Sequence, residues 1–186
     1  MKAIVLNLLA FNAGWLCCVL AGAHHLPWLG TLIAVLIVTR HLGMAGDVRK
    51  ELSLILIAGG LGAIWDSALV YVGILEYPSG TLIEGTAPHW IIAMWLLFAT
   101  TLNVSLRWLK HRPVLAALLG AVSGPAAYFA GHQLGGVQIP NLALAMCVLA
   151  FGWALFMPLM IALSNRFDGM KVQSSHPTLT ECTARV

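Results

Sequence analysis

The residue best placed to do chemistry is Asp66, in the stretch Gly62-Ala63-Ile64-Trp65-Asp66-Ser67, because it is an acid inside an apolar run. An ionised carboxylate in hydrocarbon costs about 3 kcal/mol on insertion scales, so it must meet donors, water or a proton. Three roles are open to it: a structural hydrogen-bonding acid, a proton-carrying or substrate-binding group, or an acid close enough to the interface to be hydrated. At ~1.5 Å per helical residue it sits about two thirds of the way to the outer face. The same ruler brings Tyr128 and Trp95 level with it, and a phenol or an indole N–H can donate to a carboxylate. Deeper in the membrane lie Asn12, Thr100, Thr101, Asn103 and Ser123, each able to bond across helices, although Thr and Ser can also bond back to their own helix. Asp66, Tyr128, Trp95, Asn12, Thr100, Thr101 and Ser123 therefore form the expected polar cluster, binding or structural in role. No catalytic residue is assigned.

A second group, His24, His25, His89 and His132 with Glu76 and Glu84, falls on the outer side. Imidazole and carboxylate are zinc ligands, but no helical HxxxH or HExxH spacing occurs, so no metal or other cofactor is expected. Trp28, Trp90 and Tyr77 at the same level read as an interfacial aromatic belt.

These residues need helices to hold them. The chain of 186 residues is 60% hydrophobic and 9% charged, against roughly 25% charged for a soluble domain. Such a composition excludes a soluble globular protein, a disordered chain and a nucleic-acid binder; the partner it implies is the lipid bilayer. About 20 helical residues cross a ~30 Å hydrocarbon core. Apolar runs predict an all-α membrane bundle of six spans: 3–22, 27–38 (short), 52–75, 90–108, 113–130 and 142–163. One transmembrane domain then covers 1–164, followed by a polar, disordered cytoplasmic tail over 165–186. The first run is too long for a typical cleaved leader and is read as a retained helix.

Lys and Arg stay on the cytoplasmic side. With both termini inside, that side holds Lys2, Arg40, Arg49, Lys50, Arg107, Lys110, Arg112, Arg166, Lys171 and Arg185, which is all ten bases, and the outer loops hold none. The net charge of +3 is thus a topology signal. Cys17, Cys18, Cys147 and Cys182 show no paired spacing and read as small apolar side chains. Small-residue stripes, Gly59-Ala63-Ser67 on the third span and Gly120-Gly124-Tyr128 on the fifth, allow close helix approach. They make those two spans expected neighbours.

Several ordered stretches carry a resemblance: Gly14-Trp15-Leu16-Cys17-Cys18-Val19-Leu20, Trp65-Asp66-Ser67, Trp95-Leu96-Leu97-Phe98-Ala99-Thr100-Thr101-Leu102 with Ser105-Leu106, and Leu119-Gly120-Ala121-Val122-Ser123-Gly124-Pro125 with Tyr128 and Ala130-Gly131. Over residues 1 to 164 the chain resembles the bacterial inner-membrane family catalogued as domain of unknown function 2878. The resemblance implies a polytopic protein with no assigned activity, encoded near lipid-modifying genes such as cyclopropane-fatty-acid synthases. It carries no catalytic residues over.

The leading expectation is an accessory or scaffold in the bacterial inner membrane, with membrane-lipid-modifying or stress-response proteins as partners. The chain carries no nucleophile–base or phosphate-binding signature. A small proton-linked transporter using Asp66, assembled as a homodimer, is the alternative, and a lipid-acting membrane enzyme the second.

Overall fold

The computed structural model describes residues 1–170; 171–186, and with them most of the tail assigned above, lie outside the described residues. Six α-helices follow one another: α1 (Lys2–Ala23), α2 (Pro27–Gly43), α3 (Val48–Tyr71), α4 (His89–Leu102), α5 (Pro113–Gln133) and α6 (Leu142–Arg166). A 3-10 turn, Arg107–Leu109, lies between α4 and α5. Four of the helices, α1, α3, α5 and α6, are long and apolar enough to cross a membrane, while α2 and α4 are shorter apolar helices.

Local chemistry sets the ends. Proline opens α2 and α5, where its missing N–H is no loss. Asp47 and Asn141 cap α3 and α6 by accepting the N–H groups of Lys50 and Leu144, each at 3.1 Å. The Lys50 N–H holds the Asp47 carboxyl below the usual carboxylate range. A depressed value means the cap is strongest above the ordinary carboxylate range and weakens as the pH falls through it. Three helices close with paired reverse bonds around a left-handed residue: Gly73 after α3, Gly135 after α5 and, without the freedom of glycine, His25 (φ 59) after α1.

The core sits around α4, which packs against α1, α2, α3 and α6. Nine of its 14 residues are buried, as expected of a helix walled in on all sides. Outward faces of the other helices are apolar, with Leu32, Ile64, Val122 and Phe151 among many exposed side chains. In water such a surface would be untenable; against lipid tails it is not.

Three expectations need correction. The run 90–108 is not one helix: α4 stops at Leu102. The side chain of Asn103 bonds elsewhere, to Glu51 and to the Phe167 carbonyl, and the chain turns there. The small-residue stripes also do not face each other. A Cβ added to Gly59 or Gly62 would fall on Leu96 or Trp95 of α4, and one on Gly120 or Gly124 would fall on Trp153 of α6. Each stripe packs on its neighbour in sequence, so glycine marks a close approach without naming the partner. Finally, the polar tail begins later than 165: α6 runs to Arg166, and the Gly169 carbonyl accepts the N–H groups of Gly46 and Asp47, both at 2.9 Å.

A Cβ on Gly120 would meet the Trp153 backbone and Met157, whereas Gly60 has open space around it. Gly120→Leu is expected to lower stability by roughly 1–3 kcal/mol or more through overpacking, and Gly60→Leu to be near neutral. Thermal unfolding in detergent, followed by tryptophan fluorescence, checks the pair; equal midpoints would contradict the packing described.

Candidate functional site

Asp66 of α3 has no solvent exposure (0%). Its side chain is held by donors from three separate elements. The Trp95 indole of α4 donates to Oδ2 at 2.5 Å, the Tyr128 hydroxyl of α5 to Oδ1 at 2.7 Å, and the Tyr77 hydroxyl to Oδ1 at 3.1 Å. An indole can only donate, so Oδ2 must accept. Glycines explain how bulky partners reach it. Gly62, one turn before Asp66, leaves room for the Trp95 ring, and Gly124, one turn before Tyr128, leaves room for Trp153. Trp153 in turn stacks on Trp95 at 5.0 Å and 10°.

Tyr77 is placed by the 72–88 loop, which is stitched down at several points. Glu76 and Gln138 exchange backbone bonds of 3.0 and 2.7 Å. Ser79 donates to the Gly22 carbonyl at 2.6 Å, Trp90 to the Ser79 carbonyl at 3.0 Å, and the Ala87 N–H to Ser67 at 3.0 Å. Burial, with the Asp66 charge beside it, pushes the Tyr77 phenol well above its usual range, so it stays a donor.

Against this cluster lies a cavity of about 290 Å³, bounded by α1, α4, α5, Trp153 of α6 and the loops over their ends. Phe11, Trp15, Trp90, Phe98 and Trp153 supply wall, together with the three side chains that bind Asp66. The carboxylate itself stands behind them. Asn12 also lines the cavity; its amide N–H₂ donates back to Leu8 at 2.8 Å.

The other sequence candidates are elsewhere. Thr100 and Thr101 bond back to the carbonyls of Leu97 and Phe98, each at 2.7 Å. Ser123 is exposed. Gly59, Gly120 and Gly124 are buried at helix contacts, and Ala63 is half-buried. The histidines do not converge. His24 bonds to the Leu20 carbonyl, His25 makes the left-handed turn, His89 meets Thr31 at 2.7 Å, and His132 bonds to the Val137 carbonyl. Among the described residues no three His, Cys, Asp or Glu side chains come together as a metal site.

Sequence reasoning missed two things. Tyr77 looked like part of an interfacial belt, since nothing local in a loop signals a contact back to α3. At the opposite end of the bundle, Glu51 is also fully buried (0%). It accepts from His41 at 2.8 Å, Asn103 at 2.9 Å and the Gly169 N–H at 3.0 Å. Lys110 links Asn103, the Ser164 carbonyl and Asp168, and Arg107 grips both oxygens of Asp168 at 2.7 Å. This network ties α2, α3, α6 and the turn after α4 into one polar floor. The signal available was a Glu one turn inside a capped helix opposite a cluster of bases.

The chain belongs to the family described as Protein of unknown function (DUF2878), whose model matches residues 4–159. No curated protein and no solved structure matches it.

The unequal service of the two Asp66 oxygens makes a graded test. Trp95→Phe leaves Oδ2 without its donor and is expected to cost about 2–3 kcal/mol. Tyr77→Phe leaves Tyr128 on Oδ1 and should cost roughly 1 kcal/mol. Reversed order in denaturation midpoints would contradict the assignment. Glu51→Ala strands His41, Asn103 and the Gly169 N–H together, a loss of about 3–5 kcal/mol. Unchanged melting of that variant would show that the polar floor contributes little.

Proposed function

We propose that this is a six-span protein of the bacterial inner membrane, with both termini in the cytoplasm. In this reading it holds an apolar membrane molecule in the aromatic cavity, as a non-catalytic accessory to a membrane-lipid-modifying or stress-response system. The observation that carries the proposal is the cavity of about 290 Å³ whose wall is half aromatic and otherwise mostly aliphatic. Ligand sites are concave, mostly apolar and sparingly polar, and this one is a mostly apolar cleft among helices whose outer faces suit lipid.

The orientation rests on the basic residues. Hydrogen bonds join the start of α1 to the end of α4 (Ser105 to Asn7, 2.7 Å), and α2 to α3 through His41 and Glu51. The helix ends bearing Lys2, Arg40, Arg49, Lys50, Arg107, Lys110, Arg112 and Arg166 therefore form one side of the bundle, the side that remains in the cytoplasm by the positive-inside rule. The short helices fit six spans as well. At 1.5 Å per residue, the 14 residues of α4 reach ~21 Å, and the polar floor and the 72–88 loop extend its two ends toward water.

A proton-linked transporter would need Asp66 to release and take up a proton on every cycle. Both its oxygens are engaged by donors from three elements, which favours a fixed carboxylate and a stable cavity wall. The link to lipid-modifying systems rests on family resemblance and is an association.

Ala127 lines the cavity, so Ala127→Trp should fill it. Lipid mass spectrometry of purified protein is expected to find an apolar molecule with the parent chain and to lose it in the variant, at an unchanged melting temperature. The same complement of bound molecules in both proteins would refute occupancy of this space.

A further inference from the structure

We infer that the occupant of the aromatic cavity carries an organic ammonium group, so that the site recognises a monocation and not hydrocarbon alone. This rests on the cavity reading above and narrows its ligand class.

The first observation is charge. Asp66 is fully buried, and the ion pairs among the described residues involve Glu51, Asp47 and Asp168; none reaches Asp66. Its partners are neutral donors, which stabilise the ionised carboxylate without cancelling its charge. In its ionised form Asp66 therefore presents a single negative charge with no paired cation behind the wall of an apolar cavity, in surroundings that screen it poorly.

The second is the wall. Tyr77, Trp95 and Tyr128 each do two things: they bind Asp66, and they line the cavity. A phenol or indole that donates to an anion becomes more electron-rich, which increases the pull of its ring face on a cation. Neighbouring rings meet at right angles, Tyr77 with Trp90 at 90° and Phe98 with Trp95 at 89°. Faces of different orientation therefore surround the space, the arrangement of an aromatic box. Hydrated cations such as Na⁺ would find no oxygen cage here, whereas an alkylated ammonium needs only ring faces and a distant counter-charge. Two sources share this chemistry, a free organic cation and the headgroup of an ammonium lipid.

Choline and dimethylbutanol, its neutral isostere with carbon in place of nitrogen, separate charge from shape. Each is titrated into the full-length protein in maltoside micelles free of ammonium lipid, followed by intrinsic tryptophan fluorescence and calorimetry. Choline is expected to bind about tenfold tighter than dimethylbutanol, the scale of a desolvated cation–π contact. In Asp66→Asn the preference should shrink toward parity. Should that variant fail to fold, the comparison in the parent protein decides alone. Equal binding of the two ligands, or tighter binding of dimethylbutanol, overturns the cation inference and leaves an apolar cavity standing. Binding of neither overturns it too, and the lipid content of the Ala127→Trp protein then decides whether the space is occupied at all. Repeating the titration in phosphatidylglycerol nanodiscs, with and without phosphatidylethanolamine, assigns the source. Weakened choline binding in the presence of phosphatidylethanolamine marks a lipid headgroup, and unchanged binding marks a free cation.

Discussion

A carboxylate removed from water must be solvated by the protein that buries it, and most of the upper half of this bundle is organised by that requirement. Asp66 draws one donor from α4, one from α5 and one from the 72–88 loop. To deliver them, α3 and α5 give up side chains at Gly62 and Gly124, and the loop is bridged to Gln138 so that Tyr77 reaches inward. The cavity is a by-product of the same arrangement. Large rings turned toward one carboxylate leave a space on their other side, between α1 and α5, which share few if any close contacts of their own. Satisfaction of a polar group and creation of a cavity are here a single packing solution.

The opposite end solves the same problem with charge. Glu51 is as buried as Asp66, yet it is surrounded by His41, Asn103 and the cationic side chains that follow α4. The two acids therefore do different work. Glu51 belongs to a network with nearby cations, where removing one member exposes the rest. Asp66 has only neutral donors around it and no cation within reach among the described residues.

Much of this could be read from residues alone. Apolar runs located all six helices, and a ruler of residue depth put Trp95 and Tyr128 level with Asp66, where both donate to it. The depth ruler failed for Asn103, because it assumed an unbroken helix to 108, and an asparagine whose amide has buried partners elsewhere turns the chain instead. Tyr77 was invisible because a loop has no period. The helix pairings were misread because small residues announce that a neighbour comes close but not which one: Gly120 carries no trace of Trp153. Glu51 hid among the basic residues of a turn, where charge counting treats every acid as solvated.

The spacing of the Asp66 contacts has a consequence for a chain that is made from one end. Its three donors lie 11, 29 and 62 residues downstream. As the ribosome extends the polypeptide, α3 is made with its acid unserved, and relief arrives first from the loop, then from the fourth helix, and last from the fifth. Glu51 waits longer, since the Gly169 N–H that completes its shell is 118 residues away. Asp66 is fully served only once Tyr128 has been made, and Glu51 only once nearly the whole described chain has been, so the nascent bundle has to remain loosely associated until its final helix is in place.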